Sequence, residues 1–309
     1  MRIIISEFMG DAAVASLATQ FDVVYENDLV DRRDALKAAL ADADALIVRN
    51  RTQVDADLLS AAPQLRVVGR LGVGLDNIDI ATCAARNIAV IPATGANALA
   101  VAEYVIGSAM LLLRTAYQSS DAVGEGKWPR GPLSNGREIA GKTLGLIGFG
   151  GIGRLTAKLG RGLGMRVIAY DAQVPASSPL WSENGTLCAT LDAVIAEADV
   201  LSLHVPLTPH TRNLMDAAQL ARMKSDAILI NTARGGVVDE TAVAAALRAG
   251  TLGGAALDVF DVEPLGPGSP LAACPNLLLT PHVAGVTRES NVRVSTMIAD
   301  AVANALRSR

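Results

Sequence analysis

Aromatic residues are only 3% of the 309-residue chain, which excludes a core of stacked rings and leaves Ala, Val, Leu and Ile to fill it. Cysteine is scarce as well. Cys83, Cys188 and Cys274 are odd in number and far apart, which excludes a disulfide framework and suits a reducing compartment. No apolar run approaches the roughly 18 residues of a membrane span. The opening Met1–Glu7 has one basic residue and a very short apolar stretch, too little for a secretory signal. The formal charge of −4 comes without a basic stripe, so nucleic acid is not an expected partner. Low-complexity runs and tandem repeats are missing too. These absences lead to the expectation of a cytoplasmic globular protein.

What is present is an alternation of short β-branched runs with Ala/Leu-rich segments. Ile3–Ile5, Val23–Tyr25, Leu46–Val48, Val67–Gly69 and Val90–Ile91 read as strands. Asp31–Ala41, Asp55–Ala62 and Asp79–Arg86 read as helices, each opened by an Asp suited to an N-cap. Ala98–Tyr117 is the longest helical candidate, and the Gly/Pro-rich stretch Gly124–Pro132 cannot continue it. Strands then resume at Thr143–Ile147, Arg166–Tyr170, Val200–His204, Ala227–Ile230, Ala255–Val259 and Leu277–Thr280, before a final helix over Glu289–Leu306. Short, wholly apolar strands between helices predict parallel sheets covered on both faces: an α/β protein of two doubly wound units.

The segment Gly148-Phe149-Gly150-Gly151-Ile152-Gly153 is a G-x-G-x-x-G. Alone the pattern is weak, since glycines mark many turns. Here an apolar strand precedes it, a helical pattern follows, and the next strand ends in Asp171, about 20 residues on, where a carboxylate can accept from ribose hydroxyls. Gly148 allows the tight turn, Gly150 lets the backbone approach a pyrophosphate, and Gly153 permits close packing. The helix N-terminus then offers free N–H groups to the phosphates. Asp171 repels a 2′-phosphate and Ala172-Gln173-Val174 supplies no cation for one, so NAD is expected rather than NADP. No metal is expected.

Only three histidines occur, His204, His210 and His282. Hydride transfer at a hydroxyl-bearing carbon needs a group that exchanges a proton near neutral pH. His282 directly follows an apolar strand, where ligands gather in parallel sheets. His204 also ends a strand, yet Val205-Pro206 follows it, so a wall of the cofactor pocket suits it better. Arg234, after Asn231-Thr232-Ala233, can grip a carboxylate through two parallel bonds. Glu263, past another strand end, can fix an imidazole's tautomer. Taken singly, Arg234 also fits a surface ion pair and Glu263 a solvated loop acid.

Taken together, Gly148–Gly153, Asn231–Gly235, Asp258–Pro264 and Pro281-His282 resemble the D-2-hydroxyacid dehydrogenase family, near its phosphoglycerate dehydrogenases, over nearly the whole chain. The Val48–Gln53 and Pro92–Asn97 stretches also look like sulfolactate dehydrogenases. The resemblance implies a flavodoxin-like substrate-binding unit from both chain ends, 1–97 and 283–309, and a Rossmann NAD-binding unit, 98–282. It implies His282 as acid/base, Glu263 as its partner and Arg234 as clamp. Around NAD it implies Gly148, Gly150, Gly151, Ile152, Gly153, Asp171, His204, Val205, Pro206, Thr211, Thr232, Ala233, Arg234, Asp258, His282 and Gly285. Around the substrate it implies Arg49, Arg51, Arg70, the Gly72-Val73-Gly74 backbone, Asn97, Arg234 and His282. Three such arginines suggest a 2-hydroxy acid with a second anionic group, of the phosphoglycerate or sulfolactate type. Glyoxylate or hydroxypyruvate reduction is the alternative, and a non-catalytic NAD sensor is the non-enzyme one. The resemblance also implies a homodimer through the NAD-binding unit, with Ala98–Arg130 at its interface. With the sequence stopping at Arg309, feedback by serine is not expected.

Overall fold

Aliphatic runs too short for buried helices pair into two all-parallel sheets in the computed structural model, which describes residues 1–308. The chain divides into two compact units, Met1–Asn97 with Val286–Arg309 and Ala98–Gly285.

The first unit holds β1 (Arg2–Ile5), β2 (Asp22–Tyr25), β3 (Ala45–Val48), β4 (Val67–Arg70) and β5 (Ala89–Pro92), in the spatial order β2-β1-β3-β4-β5. Alternation along β1 sends Ile3 and Ile5 to a core with Ile298, Val302 and Leu306. Ile4 faces the other way, onto Leu36, Leu40 and Leu58. Every residue of β3 is buried, as covering on both faces requires. The helix Arg288–Arg307 lies tight on β4 because residue 69 is glycine. A Cβ there would sit 2.7 Å from Val302 and 2.8 Å from Ile298.

The second unit holds β6 (Thr143–Ile147), β7 (Arg166–Tyr170), β8 (Leu187–Cys188), β9 (Val200–Leu203), β10 (Ile228–Asn231), β11 (Gly254–Leu257) and β12 (Leu277–Leu279), in the order β12-β11-β10-β9-β6-β7-β8. Each order reverses direction once: between β1 and β3 in the first unit, between β6 and β9 in the second. Such switch points open a crevice at the carboxyl ends of the strands, and ligands bind there.

Three local expectations change. The helix expected from Asp31 starts at Arg33, and Asp31 closes a 3-10 turn, Leu29–Asp31, instead of capping it. Asp55 and Asp79 do cap their helices, accepting from Leu58 and Thr82 N–H. The helix from Ala98 ends at Arg114, three residues short of Tyr117, because Thr115 turns left-handed with φ 44°. The two-residue edge strand β8 is too short to show a period and was not expected. Among the described residues, no helix is long and apolar enough to cross a membrane and no cluster of three or more potential metal ligands occurs.

Candidate active site

In the second unit the glycine loop leaves β6 at the switch point. Gly148 has φ +99°, and a Cβ there would strike the His204 carbonyl oxygen at 2.3 Å, so only glycine fits. Gly150 and Gly151, by contrast, face open space. The helix Gly151–Gly162 begins at Gly150 with no side-chain cap, leaving its first N–H groups to a ligand. Gly153 differs slightly from expectation. Its missing Cβ clears the Gly148 carbonyl at 2.3 Å, while close helix–strand packing falls to Gly160, against Leu144 of β6. Asp171 follows β7 and accepts from Phe149 N–H at 2.6 Å and Gln173 N–H at 2.8 Å. It therefore shapes the glycine loop itself, and its carboxylate keeps lone pairs for ribose hydroxyls. Thr211 Oγ1 donates to Pro206 O at 2.6 Å and accepts from Thr208 N–H, closing the loop after β9 that carries Val205 and Pro206. The Thr232 hydroxyl, past β10, is buried with no hydrogen-bond partner. An open cradle, an uncapped helix start and an unmet hydroxyl fit a dinucleotide.

His204 lies at the same switch point, its Nε2 3.1 Å from Ser202 Oγ. Part of the residue stays accessible, but desolvation pushes its pKa down from 6.5 to about 4. It is neutral at physiological pH and wall-like, not a proton carrier. As pH falls below 6.5 the unfolded chain takes up a proton that the folded chain refuses, so stability declines until His204 itself protonates near pH 4. An NMR titration of its imidazole is expected to stay flat above about pH 5; a midpoint near 6.5 would contradict this environment.

His282 and Glu263 meet directly, with Nδ1 2.8 Å from Glu263 Oε2, and both side chains are accessible, 42% and 35%. Glu263 Oε1 accepts from Phe260 N–H at 3.0 Å, which fixes the carboxylate's orientation. Since a carboxylate only accepts, Nδ1 carries the hydrogen and Nε2 is the nitrogen left for chemistry. His282 sits at φ 56°, a left-handed conformation that costs a non-glycine residue about 1–2 kcal/mol. Buried Asp258 offsets that cost. Its carbonyl accepts from His282 N–H, and its carboxylate from Val283 N–H and Ala284 N–H, all at 2.8 Å.

Asp258 is itself oriented by Thr280 Oγ1 at 2.6 Å, which in turn lies 2.6 Å from the Tyr104 hydroxyl. Thr280 spends its one hydrogen on Asp258, so Tyr104 donates to Thr280. Burial raises the Tyr104 pKa and keeps that donor protonated. Neither Tyr104 nor Thr280 was expected from sequence; Tyr104 lies 154 positions from Asp258, and nothing in its helix marks it.

Arg234 stands on the loop after β10, anchored by Asn231. Asn231 Nδ2 donates to Arg234 O at 2.9 Å and Asn231 Oδ1 accepts from Ala233 N–H at 3.0 Å, while Arg234 Nη1 donates to Ala233 O at 2.6 Å. Gly235 presses this loop onto the Glu263 loop so closely that a Cβ would fall 1.8 Å from Phe260 O. Arg234 and the His282–Glu263 pair are thus joined through a backbone contact.

In the first unit, Arg49 follows β3 at the switch point and is half-buried. Its Nη2 donates to Asn291 Oδ1 at 2.9 Å and its guanidinium lies 5.7 Å from the centre of the Phe8 ring. Arg70 ends β4 and folds over Gly72; a Cβ on Gly72 would overlap its Nη1. The Asn97 side-chain oxygen is buried and unpartnered. Arg51 goes elsewhere. Its guanidinium forms a two-pronged pair with Asp31 on an exposed face, a different partner from the substrate anion expected from sequence.

A sequence model of the D-isomer specific 2-hydroxyacid dehydrogenase NAD binding domain matches residues 106–284. The chain is 52% identical over 306 residues to the (S)-sulfolactate dehydrogenase of Chromohalobacter salexigens, covering 98% of each. It is 39% identical over 305 residues to the D-3-phosphoglycerate dehydrogenase of Mycobacterium tuberculosis, which takes in 98% of this chain and 56% of that longer protein. The solved structure of D-lactate dehydrogenase from Aquifex aeolicus, complexed with NAD and lactic acid, matches with a TM-score of 0.84 at 28% identity, over 100% of this chain and 96% of that one.

Proposed function

The chain belongs to the D-isomer specific 2-hydroxyacid dehydrogenase family, and we propose that it interconverts a 2-hydroxy acid with a second anion at its far end, of the sulfolactate type, and the corresponding 2-oxo acid. It is an NAD-dependent oxidoreductase acting on the CH–OH group of 2-hydroxy acids. The observation that carries the catalytic roles is the accessible His282–Glu263 pair at 2.8 Å.

In this reading the backbone from Gly148 to Gly153, Asp171, His204, Val205, Pro206, Thr211, Thr232, Ala233, Asp258 and Gly285 hold the dinucleotide. NAD, when bound, supplies the hydride acceptor for oxidation and, reduced, the donor for the reverse. In oxidation His282 Nε2 takes the substrate hydroxyl proton; in reduction the imidazolium returns it to the carbonyl oxygen. Glu263 holds Nδ1–H throughout and stabilises the imidazolium. Arg234 grips the 2-carboxylate by parallel N–H donors and stabilises charge developing on the adjacent oxygen.

The second anion is assigned to Arg49 and Arg70 of the first unit, with the Gly72–Gly74 backbone and Asn97 as further contributors; Arg51 has no part in it. The 52% identity to an (S)-sulfolactate dehydrogenase favours a sulfonate. That S label fits the family's D-like spatial arrangement, since sulfur outranks the carboxylate in naming. The same reading keeps a homodimer through Ala98–Arg130, where Trp128 is 78% and Tyr117 60% exposed.

The test is NADH oxidation with 3-sulfopyruvate, 3-phosphohydroxypyruvate, hydroxypyruvate and glyoxylate. Wild type is expected to prefer a second-anion acid, and Arg49→Met to raise its KM about tenfold or more. Preference for glyoxylate or hydroxypyruvate reduction would remove the second-anion assignment. No turnover despite NADH binding would favour an NAD sensor.

A further inference from the structure

The carboxylate of Glu7 lies just beyond β1, only 4% exposed, and has no place in the chemistry described above. It accepts from four consecutive backbone N–H groups past the end of β3. Oε1 accepts from Arg49 at 2.8 Å and Thr52 at 3.0 Å, and Oε2 from Asn50 at 3.3 Å and Arg51 at 3.1 Å. The sheet order explains this reach across 42 residues. β1 and β3 are parallel neighbours with Ile5 opposite Ile47, so their carboxyl ends emerge side by side at the switch point. Ser6 adds a hydroxyl contact to Thr52 at 3.0 Å.

Arg49 is therefore held from both ends. Glu7 fixes its backbone, while Phe8 and Asn291 orient its guanidinium. Among the described residues, Asn291 is the one side chain that accepts from that guanidinium, and it uses Nη2 alone. The remaining N–H donors are directed by the scaffold and not spent on it.

We propose that Glu7, with Phe8 and Asn291, is a positioning set that presents the Arg49 guanidinium to the distal anion of the substrate and so sets KM for it. This rests on the assignment of Arg49 to that anion. A glutamine at position 7 keeps one acceptor oxygen but turns an NH2 toward two backbone donors, which lose their partner. The loop over 49–52 then loses its anchor, whereas the proton-transfer groups of the second unit are untouched.

The experiment measures KM, kcat and NADH affinity with 3-sulfopyruvate for full-length Glu7→Gln, Arg49→Met and their combination. Glu7→Gln is expected to raise KM about tenfold, with NADH affinity unchanged and kcat within about threefold of wild type. Glu7→Asp, which retains all acceptor lone pairs on a shorter stem, should recover part of the loss. In the Arg49→Met background Glu7→Gln should add nothing, because the two share one pathway. An unchanged KM in Glu7→Gln, or an equal rise with and without Arg49, overturns the positioning set and leaves the substrate assignment standing. An unchanged KM in Arg49→Met removes the substrate assignment and the positioning set with it. Should Glu7→Gln fail to fold, Asn291→Ala serves instead: a KM rise of about threefold or more supports the set, and no change overturns it.

Discussion

Replacing His282 with asparagine is expected to lower kcat by roughly 10³-fold while NADH binding stays intact, the scale of a lost general acid–base. Asparagine is the informative choice because it tolerates the left-handed φ of 56° at this position, so the backbone held by Asp258 should survive. The companion Glu263→Gln separates proton exchange from mere packing. Oε1 already accepts from Phe260 N–H, so the glutamine oxygen stays there and its NH2 points at His282 Nδ1. The ring must then accept at Nδ1 and carry its hydrogen on Nε2, the wrong tautomer for oxidation. A kcat loss of roughly 10²-fold is expected, read by steady-state kinetics beside NADH fluorescence titration. If His282→Asn turns over at the wild-type rate, His282 is not the proton carrier; if Glu263→Gln does, Glu263 does not set the tautomer of the ring.

Gly235→Ala carries the second large effect, and it comes from a residue with no reactive atoms. Its new Cβ falls 1.8 Å from Phe260 O and 2.7 Å from Asp261 N. Both obstacles are backbone, so no rotamer change relieves the overlap. One of the two loops must move, either the loop bearing Arg234 or the one whose Phe260 N–H orients Glu263. Overpacking of this kind costs about 1–3 kcal/mol of stability, and a clamp misplaced by about 1 Å costs on the order of 10²-fold in kcat/KM. Calorimetry and kinetics on the purified variant check both. Gly150→Ala is the control, since a Cβ there meets nothing within 4 Å. It should melt like wild type and weaken only NADH binding, because the methyl fills the open cradle.

Much of the fold is legible locally. β3 is four aliphatic residues, β6 five residues around Gly145, and both are buried throughout, so composition alone marks them as central parallel strands. The glycine loop is legible for the same reason: Gly148 needs a conformation and a clearance that other residues lack, and that need is written at the position itself. Asp31 shows the limit. As a sequence signal it resembled the N-caps at Asp55 and Asp79, yet its carboxylate is drawn to Arg51, 20 residues away. The same pair holds Arg51 on an exposed face, while Arg49, two positions earlier, is half-buried against Asn291. Along a strand exit neighbouring side chains diverge, and only the surrounding packing says which one is half-buried and which one joins an exposed ion pair.

Strand periodicity and glycine stereochemistry are local properties, so single segments are enough to mark the two parallel α/β units and the dinucleotide loop, whereas His282, Glu263 and Arg234 stand out only together, through the resemblance of their motifs to the family. Only the packing of the whole chain settles what holds the strand-end residues: Glu7 on the 49–52 backbone, Asn291 on Arg49 across 242 positions, and Tyr104 on Asp258 through Thr280. Those pairings follow from which strands become neighbours, β1 beside β3 and β11 beside β12. Strand order is settled by how whole helices and sheets pack, so no single segment of the chain carries it.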